Sequence, residues 1–468
     1  VNSQQPLDPH ALGRVHLIGM GGAGMSAVAR LLLARGVPVS GSDAKDSAGL
    51  RDLESLGATV FVGQDAAHVA GASTVVVSTA IREQNPELAA ARGAGMRVLH
   101  RSQALAAAMH GRRVIAVAGT HGKTTTSSMT AVALRAAGLR PSWAIGAHVA
   151  DLGANAGFDA GEWFVAEADE SDGSFMAYHP EVAVVTNVEP DHLDHYGSAE
   201  AFHRAFDEFS DTIREGGTLV ACADDPGAAR LAERRRARGG AVLSYGTDPG
   251  ADVVLSELTP HGTGTTCRIS FPVPGGRREA LLELAVPGAH NAVDAAAAFA
   301  AGCAAGADPE QLLAGLADFH GSARRFDLKG EQGGVRVFDD YAHHPTEVAA
   351  ALGAARDVAG GHRVLAIFQP HLYSRTREFA EAFCRALELA DLACVTDVFG
   401  AREQPEPGIT GATITGHARD GRVVSTPGTR DAVEAVVARA EPGDVVMTVG
   451  AGDVTTLGPQ VLAALARH

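Results

Sequence analysis

Lysine is almost missing from this chain of 468 residues: only Lys45, Lys123 and Lys329 occur. Arginine therefore carries nearly all the positive charge, and a lysine in a glycine-rich context stands out. Cysteine is scarce as well. Cys222, Cys267, Cys303, Cys384 and Cys394 are odd in number and contain no C-x-x-C pair. Neither a disulfide framework nor a cysteine zinc site is expected, and a reducing, cytoplasmic compartment fits. Long basic runs are absent, with 39 Lys and Arg against 55 Asp and Glu and a net charge of −16. Neutralising a nucleic acid or an anionic membrane needs clustered cations, so neither partner is expected. No stretch reaches the ~20 apolar residues of a membrane span. The longest candidate, 295–307, is a short alanine-rich helix. Residues 1–10 are polar and lack the basic-then-apolar order of a secretion signal. Oligomeric state leaves no trace in the sequence.

What is present is ordinary globular material, 46% apolar and 20% charged, with aromatics at 5%. Short β-branched runs alternate with helical patterns, the signature of α/β units with parallel sheets. The alternation restarts twice, which predicts three α/β domains over 1–110, 111–323 and 324–468. Strands are expected at 15–18, 37–40, 74–78 and 97–99, then at 114–118, 163–166 and 182–186. The third block adds 335–338, 364–368, 393–397 and 445–449. Between 251 and 286, alternating apolar residues with glycine turns predict antiparallel strands.

The strongest motif is VIAVAGTHGKTTT (114–126). A strand runs into a glycine loop that opens a helix, so backbone N–H groups and the helix N-terminus face an anion. Gly119, Thr120, His121, Gly122, Lys123, Thr124 and Thr125 form the candidate ATP-phosphate site. Lys123 is placed to neutralise phosphate, and the Thr124 hydroxyl to ligate Mg²⁺. The strict G-x-x-x-x-G-K-[ST] pattern has Val117 at its first glycine, so this is a shortened variant. The rival reading is a chance turn before a surface lysine, which the rarity of lysine disfavours.

Two acidic segments follow strands. EADESDGSF (167–175) puts carboxylates at a strand's carboxyl end, where ligands collect in α/β folds. Glu167, the first acid past the strand, is the Mg²⁺ candidate. TNVEPDHLDH (186–195) contributes His192 and His195. H-x-x-H beside aspartate is open to a zinc or di-metal hydrolase reading, or one histidine completes the Mg²⁺ site of Thr124 and Glu167. At the N-terminus, Gly19, Gly21, Gly22 and Gly24 fit G-x-G-x-x-G after a strand, followed by Met25 and Ser26. Asp43 lies 19 residues on, and is read either as a ribose contact or as a strand-end cap. Taken alone, this loop predicts a pyrophosphate ligand, including that of a nicotinamide cofactor.

GTHGKTTT, EADESDGSF, TNVEPDHLDH, PGAHNAVDA, RRFDLKG, DDYAHHPTE and FQPHLYSRT occur here in the order found in the muramyl ligases, and the chain resembles that family over about 15–454. The resemblance implies an N-terminal Rossmann-like domain binding a UDP-sugar, a central P-loop ATPase-like domain, and a Rossmann-like C-terminal domain that receives an amino acid. HLIGMGGAGMS, the His121 form of the loop and DDYAHHPTE resemble the L-alanine-adding branch. That implies UDP-N-acetylmuramate and L-alanine as substrates, with ATP and Mg²⁺. By the same resemblance, Thr124, Glu167 and His192 hold magnesium. His290 and Asn291 line the nucleotide pocket, Arg325 reaches the γ-phosphate, and Asp340 contacts the nucleotide. Tyr341, His343, His371 and Arg375 surround the amino acid. Lys123, Glu167, His192, Arg325 and His343 are the candidate catalytic set, with His343 as base. His343 and His344 are alternatively structural.

Two departures are visible. Asp294 replaces an amide in the H-N-x-x-N pattern, and Leu372 stands where some relatives carry arginine. Lys329 is either functional or half of a salt bridge. Closure about residues 322–325 is expected, because the implied γ-phosphate ligands come from two domains.

Overall fold

The computed structural model describes residues 7–401 and 403–467. Residues 1–6 of the polar N-terminal stretch and the side chains of Leu193 and Asp194 lie outside the described residues. Three sheets, each in an α/β domain, make up the fold. By compactness the chain divides into two units. One holds Val1–Ser256, Ile269–Ala280 and Val293–Asp318; the other holds Glu257–Arg268, Leu281–Ala292 and Phe319–His468.

The first sheet contains β1 (Val15–Ile18), β2 (Val39–Asp43), β3 (Thr59–Val62), β4 (Thr74–Val77) and β5 (Arg97–His100) in the order β3-β2-β1-β4-β5. All its pairings are parallel. The order reverses beside β1, so the loop after β1 lies at a topological switch point, where α/β sheets take ligands.

The second sheet contains β6 (Arg113–Ala118), β7 (Ser142–Val149), β8 (Ala154–Gly157), β9 (Trp163–Glu167), β10 (Val182–Val185), β11 (Thr218–Cys222), β12 (Ala241–Gly246), β13 (Val253–His261), β14 (Gly264–Val273) and β15 (Gly276–Leu284). Its order, β15-β14-β13-β12-β11-β10-β6-β9-β7-β8, puts β6 between β10 and β9, parallel to both. Three chemically loaded loops thus leave neighbouring strand ends on one side. β6 is VIA-rich and buried throughout except Arg113, as a strand covered on both faces must be. The helix Lys123–Ala136 that follows packs a run of Thr and Ser into the core. Three of its hydroxyls are satisfied within the helix: Ser127 donates to Lys123 O at 2.7 Å, Ser128 to Thr124 O at 2.6 Å and Thr130 to Thr126 O at 2.7 Å.

The third sheet contains β16 (Asp327–Gln332), β17 (Val335–Asp340), β18 (Val364–Phe368), β19 (Leu392–Val395), β20 (Val423–Ser425) and β21 (Val445–Val449), in the order β16-β17-β21-β18-β19-β20. Apolar cores cover both faces: Phe338, Leu352, Phe368 and Phe383 belong to one, Val337, Ile367, Val436 and Val461 to the other. Each such side chain contributes roughly 1.5–3 kcal/mol by leaving water.

The sequence pattern locates the runs that became β1, β18 and β21 at their observed bounds. It misses β3, β7, β8, β12, β16 and β20, which are short, glycine-containing or half-exposed and lack a clear period, and it also misses β11, a buried apolar run as long as β18. The stretch between 251 and 286 is a meander, β13 and β14 being joined by two residues, Gly262 and Thr263, which antiparallel strands allow.

Candidate active site

The loop after β6 is shaped by two glycines. Gly119 has φ +138°, and a Cβ there would fall 1.9 Å from Thr186 Oγ1. Gly122 sits in the left-handed region at φ +80° as N-cap of the helix, with no side-chain cap. The first N–H groups of that helix are thus left to a ligand. The loop is pinned from β10: Asn187 Oδ1 accepts the His121 N–H at 2.8 Å, and Thr186 Oγ1 donates to His121 O at 2.5 Å. Thr120 Oγ1 donates to Glu189 O at 2.8 Å. Thr125 is the next buried hydroxyl of the helix.

Lys123 Nζ donates to Gly119 O (2.7 Å) and Thr120 O (3.0 Å), and pairs with the Glu170 carboxylate at 2.9 Å. Burial opposes its charge, but Glu170 outweighs burial and lifts Nζ above its ordinary pKa. Burial pushes the Glu170 carboxyl up to about 7 even with Lys123 beside it. Thr124 Oγ1 donates to Glu167 Oε1 at 3.1 Å, and Gly146 N–H donates to Glu167 Oε2 at 2.7 Å. His192, at φ +54°, brings Nε2 within 3.7 Å of both Glu170 and Asp191. His195 instead packs edge-on against Tyr196. The Thr124 hydroxyl and Glu167 carboxylate oxygens, set together at neighbouring strand ends, suit a hard dication such as Mg²⁺.

The Asp294 departure has a physical account. Its Oδ1 accepts the Thr126 hydroxyl at 3.0 Å and lies where a Cβ on Gly122 would stand, at 2.6 Å. An acceptor is what this position uses, and a carboxylate supplies it.

In the N-terminal domain the loop holding Gly19, Gly21, Gly22 and Gly24 opens the helix Ala23–Ala34, which carries Met25 and Ser26. Asp43 is tied to the loop itself: Oδ2 accepts the Gly21 N–H at 2.9 Å and Oδ1 the Lys45 N–H at 3.3 Å. These are the hydrogen bonds that a strand-end cap makes. The same domain buries an uncharted polar cluster, in which Glu87 accepts from Ser42 at 2.5 Å and lies 2.7 Å from His68 Nδ1 and 3.6 Å from His16 Nε2. A cleft of about 430 Å³ lies between this domain's helices and the central sheet, bordered by Gly24, Arg101, Gly146, Glu167 and Asp169.

The second unit has its own cluster. Arg325 is flanked by two non-glycine residues at positive φ, Arg324 (+61°) and Phe326 (+48°). Such strain persists only where surroundings enforce it. Here Asp340 does so, Oδ2 accepting the Phe326 N–H and Oδ1 the Ala342 N–H, both at 2.8 Å. Burial raises the Asp340 carboxyl to about 6. His290 follows Gly288 and is held by burial, with Arg325 adding to the effect, at about 4; Asn291 Nδ2 donates to Pro287 O at 2.6 Å. Tyr341, His343 and His371 form one ring cluster, with centroids 5.3 and 5.9 Å apart. Burial, with the Arg375 charge adding to it, lowers His343 to about 3. His343 is therefore neutral, with Nδ1 donating to Tyr341 O at 3.0 Å and Nε2 left as the acceptor. His344 caps the helix Pro345–Ala359. Leu372 has φ +70° and carries the turn: its N–H donates to Phe399 O (3.0 Å), while its carbonyl accepts from Thr376. Lys329 pairs with Asp327 at 2.6 Å, the salt-bridge alternative.

Glu170, Asn187, Asp169 and Arg101 were not singled out from sequence. Glu170 and Asp169 stand in the same acidic run as Glu167, but only the turn after β9 decides which carboxylate meets Lys123. Arg101 is isolated in sequence and carries no signal.

A strand-to-helix phosphate loop with its own lysine, hydroxyl and acids on neighbouring strands defines a phosphate-binding α/β protein. Residues 14–113 match the Mur ligase family catalytic domain, 117–302 the Mur ligase middle domain, and 324–452 the Mur ligase glutamate ligase domain. The chain is 58% identical over 455 residues to the UDP-N-acetylmuramate–L-alanine ligase of Renibacterium salmoninarum, spanning 97% of this chain and 96% of that one. It is 52% identical to the Thermobifida fusca protein of the same name, spanning 99% of each. The crystal structure of the Thermotoga maritima UDP-N-acetylmuramate–alanine ligase matches with a TM-score of 0.80 at 27% identity, over 96% of this chain and 98% of that one. A murein peptide ligase from Psychrobacter arcticus matches at 0.71 and 25% identity, over 97% and 99%. The chain belongs to the Mur ligase family.

Proposed function

We propose that this chain is an ATP- and Mg²⁺-dependent ligase that joins L-alanine to the lactyl carboxylate of UDP-N-acetylmuramate in peptidoglycan precursor synthesis. The carrying observation is the phosphate loop with Lys123, Thr124, Glu167 and Glu170 drawn together by adjacent strand ends. The 58% identity to a ligase of that name supports the choice of substrates. No helix among the described residues is long and apolar enough to cross a membrane, and with five unpaired cysteines the working compartment is proposed to be the cytoplasm.

A carboxylate and an amine form only a salt in water, so the carboxylate oxygen must become a leaving group. The γ-phosphoryl of ATP passes to the lactyl carboxylate, giving an acyl phosphate and ADP. The alanine amine attacks the acyl carbon, and the tetrahedral adduct collapses to amide and phosphate as nitrogen gives up a proton. Catalysis of this kind is mostly positioning and charge neutralisation. Lys123 exchanges its Glu170 and carbonyl partners for phosphate oxygens, and the free N–H groups after Gly122 cradle the same phosphates. Thr124, Glu167 and His192 are the residues that would hold magnesium, which when bound offsets phosphate charge. Arg325, presented by the strained 324–326 segment, is assigned to the γ-phosphate, and Asp340 to holding that segment in place. His290 and Asn291 are assigned to the nucleotide, and Gly19 to Ser26 to the UDP end. Tyr341, His371 and Arg375 are assigned to the amino acid, and His343, neutral with a free acceptor Nε2, to receiving the amine's proton. The domain bounds 1–110, 111–323 and 324–468 are part of the same proposal.

The test is phosphate release from Mg-ATP with UDP-N-acetylmuramate, adding each amino acid in turn. Release dependent on both the sugar nucleotide and L-alanine is expected. Release with another amino acid or acceptor would keep the chemistry and move the step. ATP binding without release under any pairing would refute the ligase reading.

A further inference from the structure

Arg101 opens the helix Arg101–Ala108 of the N-terminal domain, but its guanidinium reaches the central domain, where Nη2 donates to Asp169 Oδ2 at 2.9 Å. Burial opposes the arginine's charge and Asp169 overcomes it. The same arginine brings the Asp169 carboxyl down to about 2, against the opposing pull of burial. Its other face lies on Gly24. A Cβ at Gly24 would stand 2.3 Å from Nη1 and 3.0 Å from Cδ of Arg101. Gly24 is ordinary helix in its backbone, so glycine is needed there for space rather than for conformation. The fingerprint's last glycine is thus the seat of an arginine.

Both residues border the cleft of about 430 Å³, which extends from the first turn of the helix Ala23–Ala34 to Glu167, the partner of Thr124 in the phosphate loop. That helix begins at Gly22 with no side-chain cap and no acid in its first turn, so its end of the cleft is positive. A guanidinium has five donors in a planar fork suited to carboxylate or phosphate. Asp169 is the one hydrogen-bond partner of this one among the described residues.

We infer that Arg101 binds the acidic part of the acceptor in this cleft, and that Asp169 holds the guanidinium in place until the acceptor displaces it. The inference rests on the acceptor reading above, a sugar nucleotide whose anions are its diphosphate and its lactyl carboxylate. The seat on Gly24, against the helix start, favours the diphosphate. The resting pair keeps the cleft from presenting a lone carboxylate to an anionic substrate. It also makes the arginine's charge available only in exchange for another anion.

Calorimetric titration of UDP, UDP-N-acetylglucosamine and UDP-N-acetylmuramate into the wild type, Arg101→Gln, Arg101→Lys and Asp169→Asn tests this, with melting temperatures as a folding control. Arg101→Gln is expected to weaken UDP-N-acetylmuramate on the order of 10- to 100-fold, the worth of a charge-assisted hydrogen bond. KM for ATP should stay unchanged. Arg101→Lys should restore only part, since an ammonium lacks the fork. Asp169→Asn should tighten the same ligand a few-fold, because the arginine no longer gives up a charged partner. Opposite signs from the two ends of one ion pair are what a purely structural bridge would not produce. Equal loss for UDP places Arg101 on the diphosphate, and loss confined to the acid-bearing sugar places it on the carboxylate. Unchanged affinity for all three ligands in Arg101→Gln, or weakening from both ends alike, overturns the inference. A wild type that binds ATP but none of the three sugar-nucleotide probes removes the acceptor reading itself, an outcome distinct from any effect of Arg101.

Discussion

The chain contains two glycine loops of the same backbone plan, strand then glycines then helix, and they are chemically opposite. The phosphate loop after β6 carries its own cation, Lys123, and is surrounded by acids from neighbouring strands. The loop after β1 carries no cation, and its nearest acid, Asp43, is spent on the Gly21 and Lys45 amides. The positive charge beside it, Arg101, comes from a later helix and is matched by Asp169 of another domain. A glycine loop at a helix start guarantees only an anion cradle. Which anion it takes, and whether chemistry follows, depends on side chains that the fold delivers from elsewhere.

The sharpest break between the two loops is expected at the resident cation. Lys123→Met should lower phosphate release on the order of 10²–10³-fold, comparable to losing one donor that stabilises developing charge. It should leave UDP affinity unchanged by calorimetry. Equal damage to both would mean that the loops act as one site. Next in size is the glycine geometry. Gly119→Ala combines φ +138° with a Cβ 1.9 Å from Thr186 Oγ1 and should cost at least about 2 kcal/mol in urea unfolding. Gly21→Ala has no positive φ, and its Cβ would meet the Asp43 carboxylate at 2.8 Å, a side chain able to swing. About 1 kcal/mol or less is expected. Equal costs would show that the Asp43 cap is as rigid as the Thr186 contact.

The same contrast explains what the sequence made legible. The phosphate loop was readable because cation, hydroxyl and glycines are contiguous, so the motif carries its own chemistry. So were the strands after which ligand loops leave, since β6, β18 and β21 are unbroken β-branched or apolar runs. The partner of Lys123 was not readable. Glu167, Asp169 and Glu170 lie within four positions, and only the turn following β9 sends Glu167 to Thr124, Asp169 to Arg101 and Glu170 to Lys123. Asp43 illustrates the same limit from the other side: its spacing from the glycines suits a ribose contact and a cap equally, and only the fold shows its hydrogen bond to Gly21. The strain at Arg324, Phe326 and Leu372 leaves no compositional mark, because none of these residues is one that favours positive φ.

The finest separation of the two loops is between adjacent carboxylates. Asp169, serving Arg101, is drawn down to about 2, and Glu170, beside Lys123, is pushed up by burial to about 7. The folded state therefore binds Glu170's proton more tightly than the unfolded chain does. Its contribution to stability is complete below about 4.5, the ordinary glutamate value, and is lost as pH rises through about 7. Asp169 contributes above its ordinary value of 3.8 and loses that contribution only as pH falls towards 2. Of these two carboxylates, only Glu170 should act between pH 5 and 7.5. The melting temperature of the wild type should fall across that window relative to Glu170→Gln, whose side chain cannot ionise, while Asp169→Asn should run parallel to the wild type. A constant offset between wild type and Glu170→Gln would mean that Lys123 keeps Glu170 ionised throughout. The two loops would then differ in the origin of their cation but not in the protonation of the acid that faces it.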